Sequence, residues 1–185
     1  MGWIVTFAKS SIGAKIIMAL TGALLAGFVF AHMAGNLLLF AGPEALNSYA
    51  KRLKDLGPLL WIARGGLLLV FVVHIASAVR LGFLDRTARP QRYQHNATIQ
   101  TTLAARTMIL SGLLLLAFVV FHLLHFTLGV THPEHFAQVD SLGNHDVYNM
   151  VVRGFQQPLV SASYIVAMVL LGMHLSHGVS SMFQS

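Results

Sequence analysis

Four long apolar blocks divide the chain. They cover Ile16–Ala41, Leu59–Leu84, Thr107–Val130 and Leu159–Phe183. Each block has at least the about 20 residues that an α-helix needs to cross a hydrocarbon core of about 30 Å. The apolar residues form continuous blocks rather than an amphipathic scatter, which is typical of segments surrounded by lipid. The pattern predicts an all-α integral membrane protein with a bundle of four transmembrane helices.

The connecting segments are short or contain no further span. Gly42-Pro43 ends the first block, and Ala45–Leu56 has helical character before Gly57-Pro58, so we predict a short interfacial helix there. Residues 1–13 lack an early basic region and a small-residue cleavage site, and we interpret them as an interfacial lead-in rather than a signal peptide. The segment Thr131–Pro158 is predicted to be a long loop. Residues 1–185 are interpreted as one transmembrane domain without an internal repeat.

Composition supports this interpretation. Of the 185 residues, 56% are apolar and 10% are charged, whereas an ordinary soluble domain has about 45–50% apolar and about 25% charged residues. The composition therefore excludes a soluble globular protein. The chain has no cysteine and ten histidines. Disulfides, cysteine metal sites and thiol nucleophiles are thus excluded, and histidine is the main candidate for chemistry.

The charge of the connecting segments predicts the orientation. One side of the membrane carries seven basic residues, Lys9, Lys15, Arg80, Arg86, Arg89, Arg92 and Arg106, against the single acid Asp85, a net charge of +6. The other side carries Lys51, Arg52, Lys54, Arg64 and Arg153 against Glu44, Asp55, Glu134, Asp140 and Asp146, a net charge of zero. Basic segments stay in the cytoplasm. We therefore predict a multi-pass membrane protein with a cytoplasmic N-terminus.

Each predicted span contains a histidine at a similar distance from its start. These histidines are His32, His74, His122 and His174. An ionisable side chain inside hydrocarbon costs at least about 2.5–3.5 kcal/mol, so such residues are functional candidates. The alternative is neutral histidines that hydrogen-bond between helices. Because all four spans carry one, we favour a functional role.

Depth sorts these histidines into two pairs. Each lies about 3 residues past the middle of its span, and successive spans run in opposite directions, so His32 and His122 lie near the outer side while His74 and His174 lie near the inner side, about 9 Å apart along the membrane normal. Two neutral imidazoles from facing helices can provide the axial ligands of a haem. The chain lacks a Cys-x-x-Cys-His motif, which excludes covalent attachment. We predict two b-type haems.

Two more histidines and three arginines are candidates for supporting roles. His125 and His177 follow His122 and His174 by three residues, and either member of each couple could hold iron. The two couples lie at different depths, which disfavours a dinuclear metal site. Candidates for binding haem propionates or for other contacts beside the haem are His125, His177, Arg64, Arg80 and Arg106. Interfacial anchoring is the alternative for the arginines.

The remaining candidates are weaker. Four histidines in the connecting segments, His95, His132, His135 and His145, are predicted to be solvated, although His132, His135 and Asp146 could form an outer metal site. Small residues near the proposed ligands, Gly35, Ser77, Ala78 and Gly178, could let a flat macrocycle approach, or they could simply pack helices. Tyr49 and Tyr164 are assigned to the aromatic belt.

Four segments resemble a known family. SSIGAKIIMALTG (Ser10–Gly22), FAHMAGNLLLFAGPEALNSYA (Phe30–Ala50), LLWIARGGLLLVFVVHI (Leu59–Ile75) and GMHLSHGVSSMFQ (Gly172–Gln184) are similar to the diheme cytochrome b membrane-anchor subunit of succinate dehydrogenase and fumarate reductase. The resemblance implies that His32 with His122 and His74 with His174 ligate the two haems, the same pairs that depth predicts. The family usually has a fifth helix, whereas this sequence stops at Ser185; either a further segment follows in the protein or a different subunit covers that edge.

The resemblance also implies partners and a reaction. A flavoprotein subunit with covalent FAD and an iron–sulfur subunit would dock on the cytoplasmic face, and the complex could form a higher oligomer. Those subunits would oxidise succinate or reduce fumarate, so no catalytic residue is expected in this chain, which would pass electrons to or from a membrane quinone, usually menaquinone. Candidates for the quinone site are Glu44, Asp55 and Arg64.

Two alternatives stay open at the level of sequence. The chain could be the diheme cytochrome b of another respiratory complex, such as a hydrogenase or a formate dehydrogenase. It could also be a haem-free proton-conducting or transport bundle that uses the same histidines as a relay.

Overall fold

The computed structural model of the chain describes residues 2–88, 91 and 101–184. Within these ranges the regular structure is helical and no strand occurs. The helices are α1 (Gly2–Lys9), α2 (Ser11–Asn36), α3 (Pro43–Asp55), α4 (Pro58–Ala88), α5 (Leu103–Arg106), α6 (Met108–His122), α7 (Pro133–Phe136), α8 (Val147–Phe155) and α9 (Pro158–Met182). A 3₁₀ turn, Leu37–Ala41, follows α2, and a π-helical turn, Leu123–Thr127, follows α6. Arg89, Arg92 and His95 lie outside the described residues.

Four helical segments are long and apolar enough to cross a membrane. They are Ser11–Ala41, Pro58–Ala88, Met108–Thr127 and Pro158–Met182, and each end lies within five residues of the predicted block. Local sequence explains where they start: the side chain of Ser10 accepts a hydrogen bond from the Gly13 amide at 3.0 Å, and α4 and α9 begin with proline, whose missing N–H is harmless in the first turn. The predicted fold class is confirmed.

The outward faces of the spans are apolar and uncovered. Phe30, Leu69 and Leu159, on three different spans, are 68%, 64% and 86% exposed. A water-soluble monomer rarely exposes continuous apolar patches of this kind, whereas a helix in lipid satisfies its backbone internally and presents apolar side chains outward. The molecule is a membrane protein.

The spans pack as two antiparallel helix pairs. Helix α2 packs along α4, α6 packs along α9, and contacts between α2 and α9 join the two pairs. Helices α3, α7 and α8 lie at one end of this bundle, which we call the capped end, and α1 and α5 lie at the opposite, N-terminal end. The four spans thus alternate in direction, as the predicted topology requires.

A buried polar contact fixes the cap. The Asn47 side chain on α3 donates from Nδ2 to the Asp146 carboxylate at 3.1 Å and accepts from the Tyr148 amide at 2.9 Å. Asp146 also accepts from the backbone amide of Asn149 at 3.0 Å, which caps the start of α8. The interfacial helix predicted at Ala45–Leu56 is α3, shifted by one or two residues. The long predicted loop contains two short helices, α7 and α8, that fold back onto the bundle.

Candidate cofactor site between the helices

Hydroxyl groups on neighbouring helices contact two of the four span histidines. Nδ1 of His74 on α4 lies 3.1 Å from Oγ1 of Thr21 on α2. Nδ1 of His174 on α9 lies 3.1 Å from Oγ of Ser111 on α6. Thr21 and Ser111 are 8% and 2% exposed, so both contacts are inside the bundle. The His174 ring is also close enough to His74 to interact with it electrostatically.

The direction of these two hydrogen bonds follows from proton counting. The Thr21 hydroxyl donates to the Ile17 carbonyl at 2.7 Å, and the Ser111 hydroxyl donates to the Met108 carbonyl at 3.0 Å. A hydroxyl has only one proton, so when it donates to this carbonyl, its oxygen accepts the Nδ1–H of the histidine. A neutral imidazole that is protonated on Nδ1 keeps its lone pair on Nε2. In this arrangement both rings present the nitrogen that can ligate a metal.

The other two span histidines meet near the capped end. The ring centroids of His32 on α2 and His122 on α6 are 5.8 Å apart, with ring planes at 87°. Imidazole nitrogens lie about 2.0–2.1 Å from a metal such as zinc, so two rings that share one metal ion have centroids about 6 Å apart. The observed separation fits a pair of axial ligands. The His32 ring also stacks on Phe28, at 5.5 Å.

Tyr164 lies between His122 and His125, a role that the sequence did not suggest. Its hydroxyl is 3.2 Å from Nδ1 of His122 and 3.3 Å from Nδ1 of His125. One hydroxyl proton can serve only one of these nitrogens, so the other nitrogen must itself carry a proton. With neutral rings, only one of the two histidines then has a free Nε2 lone pair. The assignment of Tyr164 to the aromatic belt is wrong, because the residue is 9% exposed and packs among the histidines.

Packing distinguishes His122 from His125. His125 is 2% exposed and stacks on Phe126 at 3.9 Å. Helix α8 covers its other nitrogen, since a Cβ added to Gly154 would lie 3.1 Å from Nε2 of His125. The π-helical turn after His122 gives His125 a different environment from the preceding turn. His122 faces His32, whereas His125 is enclosed by protein, so the geometry favours His122 as the ligand.

Helix register gives the distance between the two levels. Thr21 contacts His74 through their hydrogen bond, and His32 follows Thr21 by 11 residues on the same helix. Eleven residues rise about 16 Å and complete close to three turns. Thr21 and His32 therefore lie on one face of α2, and the two histidine levels are separated along that helix.

The same spacing of a hydroxyl residue and a span histidine occurs twice in the chain. A hydroxyl residue, a glycine and a histidine recur as Thr21, Gly22 and His32 on α2 and as Ser111, Gly112 and His122 on α6, with identical spacing. The second and fourth spans, α4 and α9, also match. His74 lies 16 residues after Pro58, and His174 lies 16 residues after Pro158. The glycines adjoin the rings, since a Cβ on Gly22 or Gly112 would lie 3.4 or 3.5 Å from Cε1 of the bonded histidine.

The other candidates for supporting roles are more scattered. Arg64 is exposed and lies over the Trp61 ring, 5.1 Å from its centroid. Arg106 is exposed at the end of α5, and Arg80 and His177 are half-buried on α4 and α9. The helix directions place Arg64 near the capped end of the bundle. They place Arg80, Arg106 and His177 nearer the N-terminal end.

The structure does not join the three quinone candidates. Asp55 forms an exposed ion pair with Lys51 at 2.6 Å. Glu44 is exposed in the first turn of α3. Among the described residues no ion pair connects Arg64 with either carboxylate. A quinone site built from these three side chains therefore stays a prediction.

Three of the connecting-segment histidines, His132, His135 and His145, are not simply solvated, contrary to the expectation. His132 stacks on His135 with centroids 5.1 Å apart and also lies 5.1 Å from His125. The Nδ1 atoms of His132 and His135 are buried without a hydrogen-bond partner in the described part of the chain. His145 packs against Phe136 at 4.7 Å. Burial and the nearby Lys54 lower the pKa of His145.

Two further expectations change with the packing. Asp146 does not join His132 and His135 in a metal site, because its carboxylate is bound by Asn47 and Asn149. Burial acts to raise the pKa of Asp146, but these hydrogen bonds outweigh it and hold the pKa below its ordinary value. Gly35 makes room for Tyr49 rather than for a macrocycle, since an added Cβ would lie 2.8 Å from the Tyr49 hydroxyl.

Comparison with known proteins adds no assignment. No protein-family model, no curated protein and no solved structure matches the chain. The functional assignment consequently depends on the resemblance of the four sequence segments and on the geometry of the histidines.

Proposed function

We propose that the chain is the diheme cytochrome b membrane anchor of a succinate:quinone oxidoreductase. His32 with His122, and His74 with His174, are the proposed axial ligands of two b-type haems. The observation that carries this proposal is the arrangement of histidines at two levels of alternating helices, with Nδ1 of His74 and of His174 each 3.1 Å from a buried hydroxyl and the His32 and His122 rings 5.8 Å apart.

The residues present fit a haem at each level. A bis-histidine haem needs two neutral imidazoles from facing helices and an apolar surrounding, and the four spans supply both. When bound, such a group supplies one-electron transfer. The protein orients each imidazole, excludes water with its apolar spans, and offers Arg64 near the capped level and Arg80 and Arg106 near the other level as partners for propionates.

The proposed assembly places the soluble chemistry in other subunits. An iron–sulfur subunit and a flavoprotein subunit with FAD would dock on the N-terminal face, whose predicted net charge of +6 suits an acidic partner. That face is cytoplasmic in the proposal, and the membrane is the bacterial inner membrane. Menaquinone would react near the capped end, where Glu44, Asp55 and Arg64 are the candidate side chains.

Haem stoichiometry tests this proposal. We expect about two haems per chain by pyridine haemochrome assay of the purified complex, and the loss of one, spectrally different haem from each of the variants His32→Ala and His74→Ala. His145→Ala is the matched control, because His145 lies in the cap outside the spans, and it should keep both haems. Retention of two haems in both span variants would refute the ligand assignment. Co-purification of hydrogenase or formate dehydrogenase subunits would refute the assignment to a succinate:quinone oxidoreductase.

A haem-free proton-conducting bundle is the second candidate. It is favoured by the contacts that lead from the cap into the bundle, from His135 to His132, His125 and the Tyr164 hydroxyl. Such chains of ionisable groups can relay protons. The haem assay separates the two candidates, because a purified protein with no haem absorption supports conduction and a two-haem spectrum excludes it.

A further inference from the structure

The two histidine levels differ in what holds their rings. Nδ1 of His74 and Nδ1 of His174 each lie 3.1 Å from a buried hydroxyl. At the capped level, His122 contacts the shared Tyr164 hydroxyl, and the ring of His32 makes no hydrogen bond within the described residues. The matched arrangement therefore belongs to one level only.

We propose that Thr21 and Ser111 are positioning residues that fix the tautomer and the donor strength of both ligands of a single haem. The inference rests on the proposed function and deepens it, because it assigns the supporting contacts of one haem. Neither residue touches the haem iron; each acts through the histidine to which it is bonded.

The geometry leaves the two hydroxyls little freedom. Thr21 on α2 and Ser111 on α6 each lie on a helix face that also carries a proposed ligand of the other level. That ligand, His32 or His122, follows 11 residues later. Each hydroxyl lies within hydrogen-bond distance of a carbonyl of its own helix, and a hydroxyl that donates its single proton there accepts the Nδ1–H of the imidazole. The following glycine, Gly22 or Gly112, adjoins the ring, since an added Cβ would lie 3.4 or 3.5 Å from its Cε1. In the proposed arrangement the hydroxyl therefore favours the Nδ1–H tautomer, whose Nε2 lone pair can bind iron.

The chemical consequence is a stronger ligand. A histidine that donates its second N–H becomes a more basic ligand for the metal. A more basic axial ligand stabilises the oxidised iron more than the reduced iron and so lowers the reduction potential. Because Thr21 and Ser111 act on His74 and His174, removal of either hydroxyl should raise the potential of the same haem.

The experiment is a redox titration of the purified complex with matched variants. Thr21→Val and Ser111→Ala remove the acceptors, whereas Thr21→Ser keeps a hydroxyl. Ser163→Ala is the control, because within the described residues the Ser163 hydroxyl bonds only to the Val160 carbonyl of its own helix. In both Thr21→Val and Ser111→Ala, which we call the acceptor variants, we expect a higher reduction potential for the haem that His74→Ala eliminates. The expected rise is up to about 59 mV for a one-electron couple, which corresponds to a change of up to about tenfold in the ratio of oxidised-state to reduced-state affinity.

The pattern of shifts decides the outcome. Thr21→Ser and Ser163→Ala should match the parent, and the Thr21→Val/Ser111→Ala double variant should shift further in the same direction. Loss of that one haem from Thr21→Val, with both haems kept in Thr21→Ser, also supports the inference. The inference is overturned if the parent has two haems and neither potential changes in the two acceptor variants. It is also overturned if the shift occurs on the other haem. Both outcomes leave the proposed function intact.

A second measurement does not depend on haem. Nitrogen-15 NMR of histidine-labelled, haem-free protein distinguishes Nδ1–H from Nε2–H rings. We expect Thr21→Val to change the signal of one Nδ1–H ring and Ser111→Ala to change that of another, with Ser163→Ala unchanged. The absence of any change in both variants would overturn the inference. A parent without haem in the first experiment would refute the proposed function instead.

Discussion

Removal of the Tyr164 hydroxyl tests the polar contact at the centre of the capped end. Tyr164→Phe keeps the ring, which packs edge-on against Phe118 at 4.8 Å and Phe155 at 4.9 Å. It removes the one oxygen that contacts Nδ1 of both His122 and His125. The substitution therefore changes hydrogen bonding without opening a cavity of the size that an alanine would leave.

The expected cost follows from burial. The two contacts, at 3.2 and 3.3 Å, lie at the long end of the hydrogen-bond range, so each contributes little directly. His125 is 2% exposed, and a buried nitrogen left without a partner costs about 1–3 kcal/mol. We expect Tyr164→Phe to lower the free energy of unfolding by about 1–3 kcal/mol. Tyr164→Ala should cost more, because large aromatic-to-alanine changes in a core cost about 3–5 kcal/mol.

Thermal unfolding in one detergent, followed by the helical circular dichroism signal at a fixed scan rate, measures this loss. For a chain of this length about 1–3 kcal/mol corresponds to a decrease in Tm of roughly 2–12 °C. Tyr49→Phe is the matched control, because the Tyr49 hydroxyl makes no hydrogen bond in the described part of the chain. In a His125→Leu background, Tyr164→Phe should cost less, because no buried nitrogen is orphaned. Equal Tm values for Tyr164→Phe and Tyr49→Phe would refute the bridging role of Tyr164.

Two further predictions concern the cap. Asp146→Ala should lower stability at neutral pH by about 2–4 kcal/mol, since it removes the cap of α8 and leaves Nδ2 of the buried Asn47 without its partner. Hydrogen bonds from Asn149 and Asn47 hold the pKa of Asp146 below its ordinary value despite burial, so this stability is present above about pH 3.9 and is lost as the pH falls through the folded pKa. Thermal unfolding at a series of pH values should show this acid loss in the parent but not in the variant. Equal acid profiles would contradict the prediction. Gly129→Ala should cost about 2–4 kcal/mol, because the residue has φ +66° and an added Cβ would lie against the Phe136 ring. Gly143→Ala, at φ +76° in open space, should cost only the backbone strain, and an equal Tm for the two variants would exclude the clash.

The spans were predictable because their determinant is local. Twenty or more consecutive apolar residues cannot be solvated by water and need no partner to define them as membrane helices. The prolines at positions 58 and 158 and the serine at position 10 mark helix starts by the same local chemistry. The position of α3 between Gly42-Pro43 and Gly57-Pro58 was predictable for this reason too.

The supporting contacts of the candidate site were not predictable in this way. Tyr164 looked like an aromatic residue near a span end, and only the packing of α6 against α9 brings its hydroxyl to His122 and His125. The spacing of Thr21 and Ser111 to the next histidine was a sequence signal that could have identified both hydroxyls. It has a physical meaning only when α4 and α9 are known to pass beside those residues.

The sequence by itself determined the membrane class, the four spans and the four histidines within them, because hydrophobicity, helix length and residue identity belong to single segments. The tertiary structure alone decided which imidazole meets which neighbour, which nitrogen keeps its lone pair, and how far apart the two levels lie. Those properties depend on the rotation and register of one helix against another. In lipid, contacts between helices are made by close packing and a few polar side chains rather than by burial of apolar surface, so hydropathy carries no information about them.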